Sequence, residues 1–184
     1  MKQSFSFFAQ AFFALALITL TSFFSCQKDH FKGKSAVAVL SGTKEDTVVQ
    51  GALHFSEQKD GSVKMELEVF VPVMAGKSVA VHLHEHGMCG NAGADAHGHW
   101  NPTGKQHGQW GSASFHAGDI GNIPLNAAGR GRLERTTNLW TIGGADATNI
   151  LGRGVIVHSG VDDYTSQPAG NSGTRIGCGM IETQ

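Results

Sequence analysis

Charge is scarce in this chain and has no bias of sign. Asp, Glu, Lys and Arg make up 16% of its 184 residues, the formal net charge is -1, and no run of Lys or Arg occurs. No nucleic-acid partner is therefore expected, because phosphate recognition needs a concentrated basic surface. Proline is equally rare, at 4 residues, and no long apolar heptad repeat is present, whereas Gly reaches 25. That balance disfavours long helices and suits short strands joined by many turns. With 40% hydrophobic residues the chain can form one compact domain whose core does not depend on a metal.

Histidine, in contrast, is crowded. His82, His84, His86, His97, His99, His107 and His116 fall in the stretch from Val79 to Asp119. In Ser78 to His84 the apolar Val79, Val81 and Leu83 alternate with Ala80, His82 and His84, so an extended strand puts one set into a core and both imidazoles on the opposite face. Imidazoles two apart on a strand lie roughly 6 to 7 Å apart along it, close enough to grip one metal ion. A helix would turn them about 200° apart. Alone, an H-x-H pair reads better as a polar strand face. With His99, His107, His116 and Asp119 following, the set suits tetrahedral zinc, which accepts three imidazoles and a carboxylate.

Residues 1–25 are a separate compositional unit: Lys2 is their single charge, and Phe5 to Leu20 is predominantly apolar. This apolar stretch is short for a membrane span and sits where a secretory signal sits. Ser25 followed by Cys26 resembles the cleavage site of bacterial lipoproteins, so Cys26 is expected to carry lipid and anchor the mature chain to a membrane. An uncleaved anchor and an ordinary signal peptide are the other readings. The expected organisation is a lipoprotein-type signal peptide over 1–25, a polar tether over 26–34 and one domain over 35–184. The expected location is the bacterial cell envelope, in the periplasm or held at a membrane. If Cys26 is lipidated, Cys89 and Cys178 remain, and an exported chain with two cysteines is expected to pair them.

The remainder reads as strands. Ser35 to Leu40, Val49 to Phe55, Val63 to Val71, Ser78 to His84, Arg130 to Thr136, Gly152 to Val157 and Arg175 to Met180 are apolar or alternating. Two stretches have neither period: Glu85 to Trp110, and Asp162 to Gly173. Loops of that length in a compact domain are usually functional. The expected architecture is all-β, a Greek-key antiparallel barrel or sandwich of about eight strands with two long functional loops.

Several separated motifs then occur in one order: His82-Leu-His84-Glu-His-Gly, Cys89, His99-Trp-Asn-Pro, His107-Gly, His116-Ala-Gly-Asp119-Ile-Gly-Asn, Val-His158 with Asp162-Asp163, and Gly170-Asn-Ser-Gly-Thr-Arg175-Ile-Gly-Cys178. From about Ser35 onward the chain resembles the copper/zinc superoxide dismutases. The resemblance implies copper at His82, His84, His99 and His158, and zinc at His99, His107, His116 and Asp119, with His99 bridging the two. It further implies that Asp162 hydrogen-bonds a copper ligand and a zinc ligand, such as His82 and His107. Arg175 would attract the anion beside the copper.

The implied activity is disproportionation of superoxide to dioxygen and hydrogen peroxide, an antioxidant role in the envelope. A homodimer is compatible with the resemblance. The alternative from another class is a copper-binding or copper-delivering lipoprotein that turns nothing over. Three departures from the family pattern stand out. His86 replaces an aromatic residue of many members and is expected to be exposed, a weak second copper contact made together with His97 being the other reading; Ala169 replaces a threonine, and Tyr164-Thr-Ser-Gln-Pro lacks a Lys/Glu cluster that some members use for steering.

Overall fold

Alternation of apolar and polar residues dictates the strands. In Val63–Phe70 the side chains of Val63, Met65, Leu67 and Val69 are buried while Glu66 and Glu68 face solvent, the period of two that a half-buried strand requires. In the computed structural model, which describes Met1 and Phe31–Gln184, eight strands form. They are β1 (Ser35–Gly42), β2 (Gln50–Glu57), β3 (Val63–Phe70), β4 (Ser78–His84), β5 (Gly121–Pro124), β6 (Arg130–Thr137), β7 (Gly154–His158) and β8 (Arg175–Thr183). The expected signal peptide, the lipid site Cys26 and the tether as far as residue 30 lie outside the described residues. Lys34, at the end of that tether, already accepts a hydrogen bond from Glu57 N at 2.9 Å and so belongs to the folded unit.

The strands make one sheet in the order β5-β4-β7-β8-β1-β2-β3-β6, with every adjacent pair antiparallel. The β3 to β4 and β6 to β7 connections join strands that are not neighbours, as a Greek key requires. The sheet curls so that β5 and β6 approach each other. A Cβ on Gly131 of β6 would stand 2.8 Å from the side chains of Ile123 and Leu125 and 3.0 Å from Pro124 O, so glycine permits the approach. The architecture is the expected all-β Greek-key barrel.

One strand departs from expectation. Gly121–Pro124 reads in sequence as the lead into a turn, yet it pairs with β4 through Val79↔Ile123 and Val81↔Gly121. Four residues with Ile123 as the single large apolar side chain and proline at the end carry no readable period. The strands that deliver histidines differ from β3 in another respect. β4 from Val79 on and all of β7 are buried, because their outer faces lie under the long segments 85–120 and 159–174. Ala80 N donates to Gly160 O and Leu83 N to Gly118 O, both at 2.8 Å. Trp140 fastens the first of these segments to the core: it is fully buried, packs 5.9 Å from Phe55 and donates from Nε1 to Ala117 O.

Cys89 and Cys178 are joined by a disulfide with a sequence separation of 89. It ties the segment after β4 to the last strand. Closing a loop of this size restricts the unfolded chain by about 4 to 5 kcal/mol in the chain-entropy account. The double substitution Cys89→Ser/Cys178→Ser is therefore expected to lower unfolding free energy by a few kcal/mol, read by denaturant titration. An unchanged midpoint would mean the bridge does not stabilise this fold.

Candidate metal centre

The histidines are delivered by rigid elements. His82 and His84 sit at the end of β4, and His158 is the last residue of adjacent β7, where the ladder shifts register between Val157 and His158. His99 forms an antiparallel bridge with His84, and Trp100 N donates to Leu83 O at 2.8 Å. Gly118 makes this stacking possible, since a Cβ there would overlap Leu83 O. Two buried groups result: His82, His84, His99 and His158, and His99, His107, His116 and Asp119. In each, the donor atoms lie within 4.8 Å of one another, and His99 belongs to both.

An accounting of nitrogens tests whether these groups fit metal ions. Among the described residues six buried histidine nitrogens make no well-aligned hydrogen bond: His82 Nδ1, His84 Nε2, His99 Nε2 and His158 Nε2, together with His107 Nδ1 and His116 Nδ1, which face Asp119 at 3.0 and 3.3 Å. Buried polar atoms are rarely left so. On four of these rings the opposite nitrogen is engaged outward. His82 Nε2 donates to Asp162 Oδ2 at 2.9 Å, His107 Nε2 to Asp162 Oδ1 at 2.8 Å, His84 Nδ1 to His97 O at 2.9 Å, and His158 Nδ1 faces Gly173 O at 3.5 Å. A proton held on the outer nitrogen leaves the lone pair on the inner one. His99 Nδ1 lies 2.8 Å from Asp119 Oδ1, so its two nitrogens face different groups. The donor chemistry fits: four imidazoles suit copper(II), and three with a carboxylate make a closed zinc-type set.

Electrostatics keep the donors in the ligating state. Burial pushes His84 down to about 2, with His99 adding repulsion. Burial likewise pushes His158 down to about 3, with His82 as the next contribution. His99 is pushed down to about 4 by burial, against the opposing hydrogen bond to Asp119. Burial lowers His82 as well, overriding Asp162. Burial by itself would raise both carboxyls, but hydrogen bonds from His116 and His99 hold Asp119 well below the carboxylate range. Hydrogen bonds from His82 and Tyr164 N–H lower Asp162 against the same effect of burial. Neutral imidazoles beside charged carboxylates are what metal binding needs at neutral pH.

Asp162 touches one histidine of each group and is itself clamped. Asp162 N donates to Asn122 Oδ1 at 2.7 Å and Asn122 Nδ2 donates to Asp162 O at 2.9 Å. Gln167 holds His107 in the same two-way fashion, accepting from His107 N at 2.9 Å and donating to His107 O at 3.0 Å. A Cβ on Gly170 would overlap Asp162 Oδ1 and stand 2.6 Å from His107 Nε2. Sequence reasoning assigned no role to Asn122, Gln167 or Gly170, and their distance along the chain from the residues they serve leaves no periodic signal. Asp162→Ala is expected to weaken metal binding at both groups by about 10- to 100-fold, the usual cost of losing a partner that orients ligands. Competition with a calibrated chelator measures this, and weakening confined to one group would contradict the shared role.

Arg175 opens β8 beside the first group. Its guanidinium donates to Gly93 O and His97 O, each at 2.6 Å. The His97 carbonyl thus receives both Arg175 and the His84 ring. Burial lowers Arg175 from its usual range, but an arginine remains charged. A solvent-open depression lined by His158, Pro168, Ala169, Gly173 and Arg175 leads to this side of the centre. His86 and His97, by comparison, are exposed and belong to neither buried group.

Comparison with known proteins follows the same lines. The family model of copper/zinc superoxide dismutase matches residues 49–181. A Cu-Zn superoxide dismutase of Candida albicans is 35% identical over 156 residues, covering 79% of this chain and 96% of its own. Among solved structures, one described as the clock protein EA4 superposes with TM-score 0.72 at 27% identity, covering 84% of this chain and 98% of its own. A double mutant of a SOD-like protein from Bacillus subtilis superposes with TM-score 0.69 at 31% identity, covering 78% of this chain and 95% of its own.

Proposed function

Because this chain belongs to the copper/zinc superoxide dismutase family, we propose that it disproportionates superoxide to dioxygen and hydrogen peroxide. The observation that carries the reading is the place of His99 in both buried groups, with Nε2 unpartnered and Nδ1 against Asp119. His82, His84, His99 and His158 would hold copper, and His99, His107, His116 and Asp119 would hold zinc. When bound, copper supplies a one-electron redox couple and zinc a fixed positive charge. His99 Nε2 is the site at which the protein takes up and returns a proton, since its other nitrogen stays on the zinc side. Asp162 orients His82 and His107 together, so the two halves keep one geometry. Arg175, fixed by two carbonyls at the depression beside His158, draws in the anion.

We further propose, from the N-terminal sequence, that the chain is exported and held at the envelope through lipid on Cys26. Metabolic labelling with a radioactive fatty acid tests this: label is expected in the parent and absent from Cys26→Ala. Equal label in both would remove the anchor from the account.

Arg175→Ala is expected to lower kcat/KM by about 10-fold or more, within the range of local electrostatic guidance, and to flatten the dependence of rate on ionic strength. Arg175→Lys keeps the charge but cannot span Gly93 O and His97 O, so its rate should fall between the two. Pulse radiolysis at several salt concentrations reads both, and an Arg175→Ala rate equal to the parent's would contradict the role. A non-catalytic copper-binding protein is the second reading. The chain's similarity to the clock protein EA4 and to a SOD-like protein supports this reading, and dismutation by purified, metal-loaded chain would dismiss it.

A further inference from the structure

The histidine ladder does not stop at the buried centre. His84 pairs with His99 in an antiparallel bridge. The next rungs outward are held by Glu85 N donating to Gly98 O at 3.1 Å and His86 N donating to Ala96 O at 3.2 Å. His86 therefore meets His97 two residues beyond the pair already described. Their rings stand perpendicular with centroids 4.7 Å apart, and Glu85 Oε2 lies 3.8 Å from His97 Nδ1. One donor atom from each of Glu85, His86 and His97 falls within 4.8 Å of the other two, and all three residues are exposed.

The backbone of this cluster is fixed without any ion. His97 N donates to Ala94 O at 3.1 Å, while its carbonyl receives His84 Nδ1 and Arg175 Nη2. His97 has φ 62° and ψ -143°, a conformation that glycine adopts freely and that costs other residues on the order of 1 to 3 kcal/mol. An imidazole is thus carried where glycine would be favoured, and it is aimed at a second imidazole and a carboxylate. Two neighbouring arginines do not neutralise Glu85 through its side chain. Arg153 donates to Glu85 O, to Asn149 O and to Asp146, and Arg175 donates to loop carbonyls.

We infer that Glu85, His86 and His97 form a third metal site, open to solvent and separate from the two buried groups, for a divalent transition-metal ion. Two imidazoles and a carboxylate, completed by water, suit copper(II) first in the order of divalent affinities, with nickel and zinc weaker. Solvent exposure and three protein donors make it a labile site that exchanges its ion readily, unlike the enclosed groups.

The test starts from full protein carrying one copper and one zinc in the buried groups and dialyses it against free copper(II) of known concentration. Metal analysis then counts the ions held. The parent is expected to retain one further copper equivalent. His86→Ala and His97→Gly should each hold only the original two; glycine suits the φ of residue 97, so the carbonyl to Arg175 and His84 is preserved. Retention of both buried ions in each variant reports that the fold is intact and keeps this result independent of the proposed activity. A parent that takes up no third equivalent, or either variant that still takes it up, overturns the inference.

Discussion

Replacement of His99 by alanine is expected to reduce superoxide dismutation by the copper- and zinc-loaded protein by about 10²- to 10⁴-fold, the loss that follows removal of a positioned proton donor. The size follows from the double membership of this residue. His99 is the one side chain common to both buried groups, so the substitution leaves three donors on either side. It also removes Nε2, the atom proposed to take up and return a proton, and leaves Asp119 Oδ1 without its 2.8 Å partner. The backbone consequences are small, because Trp100 N to Leu83 O and Gly118 N to Trp100 O hold the segment through main-chain atoms. A folded, disulfide-bonded variant is therefore expected, and loss of rate in such a protein is a loss of chemistry. Pulse radiolysis on parent and variant, with metal content determined for each, makes the comparison. Equal rates would remove His99 from the mechanism.

Removal of both ions by chelation is the second large effect. An ion that binds the folded chain alone stabilises it by about 4 kcal/mol when present at a thousand times its dissociation constant. Two such ions contribute about twice that, and a domain of this size shifts by roughly 2 to 4 °C per kcal/mol, so a fall on the order of 20 °C in Tm is expected. The metal-free chain is additionally left with His82 Nδ1, His84 Nε2, His99 Nε2 and His158 Nε2 buried without a partner, each of the kind that costs about 1 to 3 kcal/mol. Its stability should also depend on pH in a defined direction. His84, His99 and His158 are pushed down to about 2, 4 and 3 in the fold, below the unfolded value of about 6.5. The unfolded chain then binds more protons than the folded one between those limits, so stability is full above about pH 6.5 and is lost as pH falls towards 4. Calorimetry of chelated protein from pH 8 to pH 4 reads this. A metal-free Tm equal to the loaded one, or one that rises on acidification, would contradict it.

Much of this was legible from residue order. The alternation in Val63–Phe70 fixed β3 and its buried face, and the H-x-H pair after Val79 fixed which side of β4 carries His82 and His84. The apolar run before His158 located β7 to within two residues at its start. β5 was not legible, because Gly121–Pro124 is a strand through its pairing with β4 and carries almost no pattern of its own. The same limit applies to the clamps. Asn122 reaches Asp162 across 40 residues and Gln167 reaches His107 across 60, contacts that arise when both long segments fold over the outer faces of β4 and β7. His86 and His97 likewise become a pair through the register of the ladder that begins at His84 and His99; residue order favours exposure for both, as the structure shows, and does not bring Glu85 to them.

The proposed centre requires that the His99 imidazole be shared between two metal ions of different kinds. Anomalous diffraction at the copper and zinc absorption edges, from crystals of the loaded protein, tests it most directly. One buried copper peak is expected among His82, His84, His99 and His158, one zinc peak among His99, His107, His116 and Asp119, and the His99 ring between them. A single buried peak, or two that do not share His99, would contradict it.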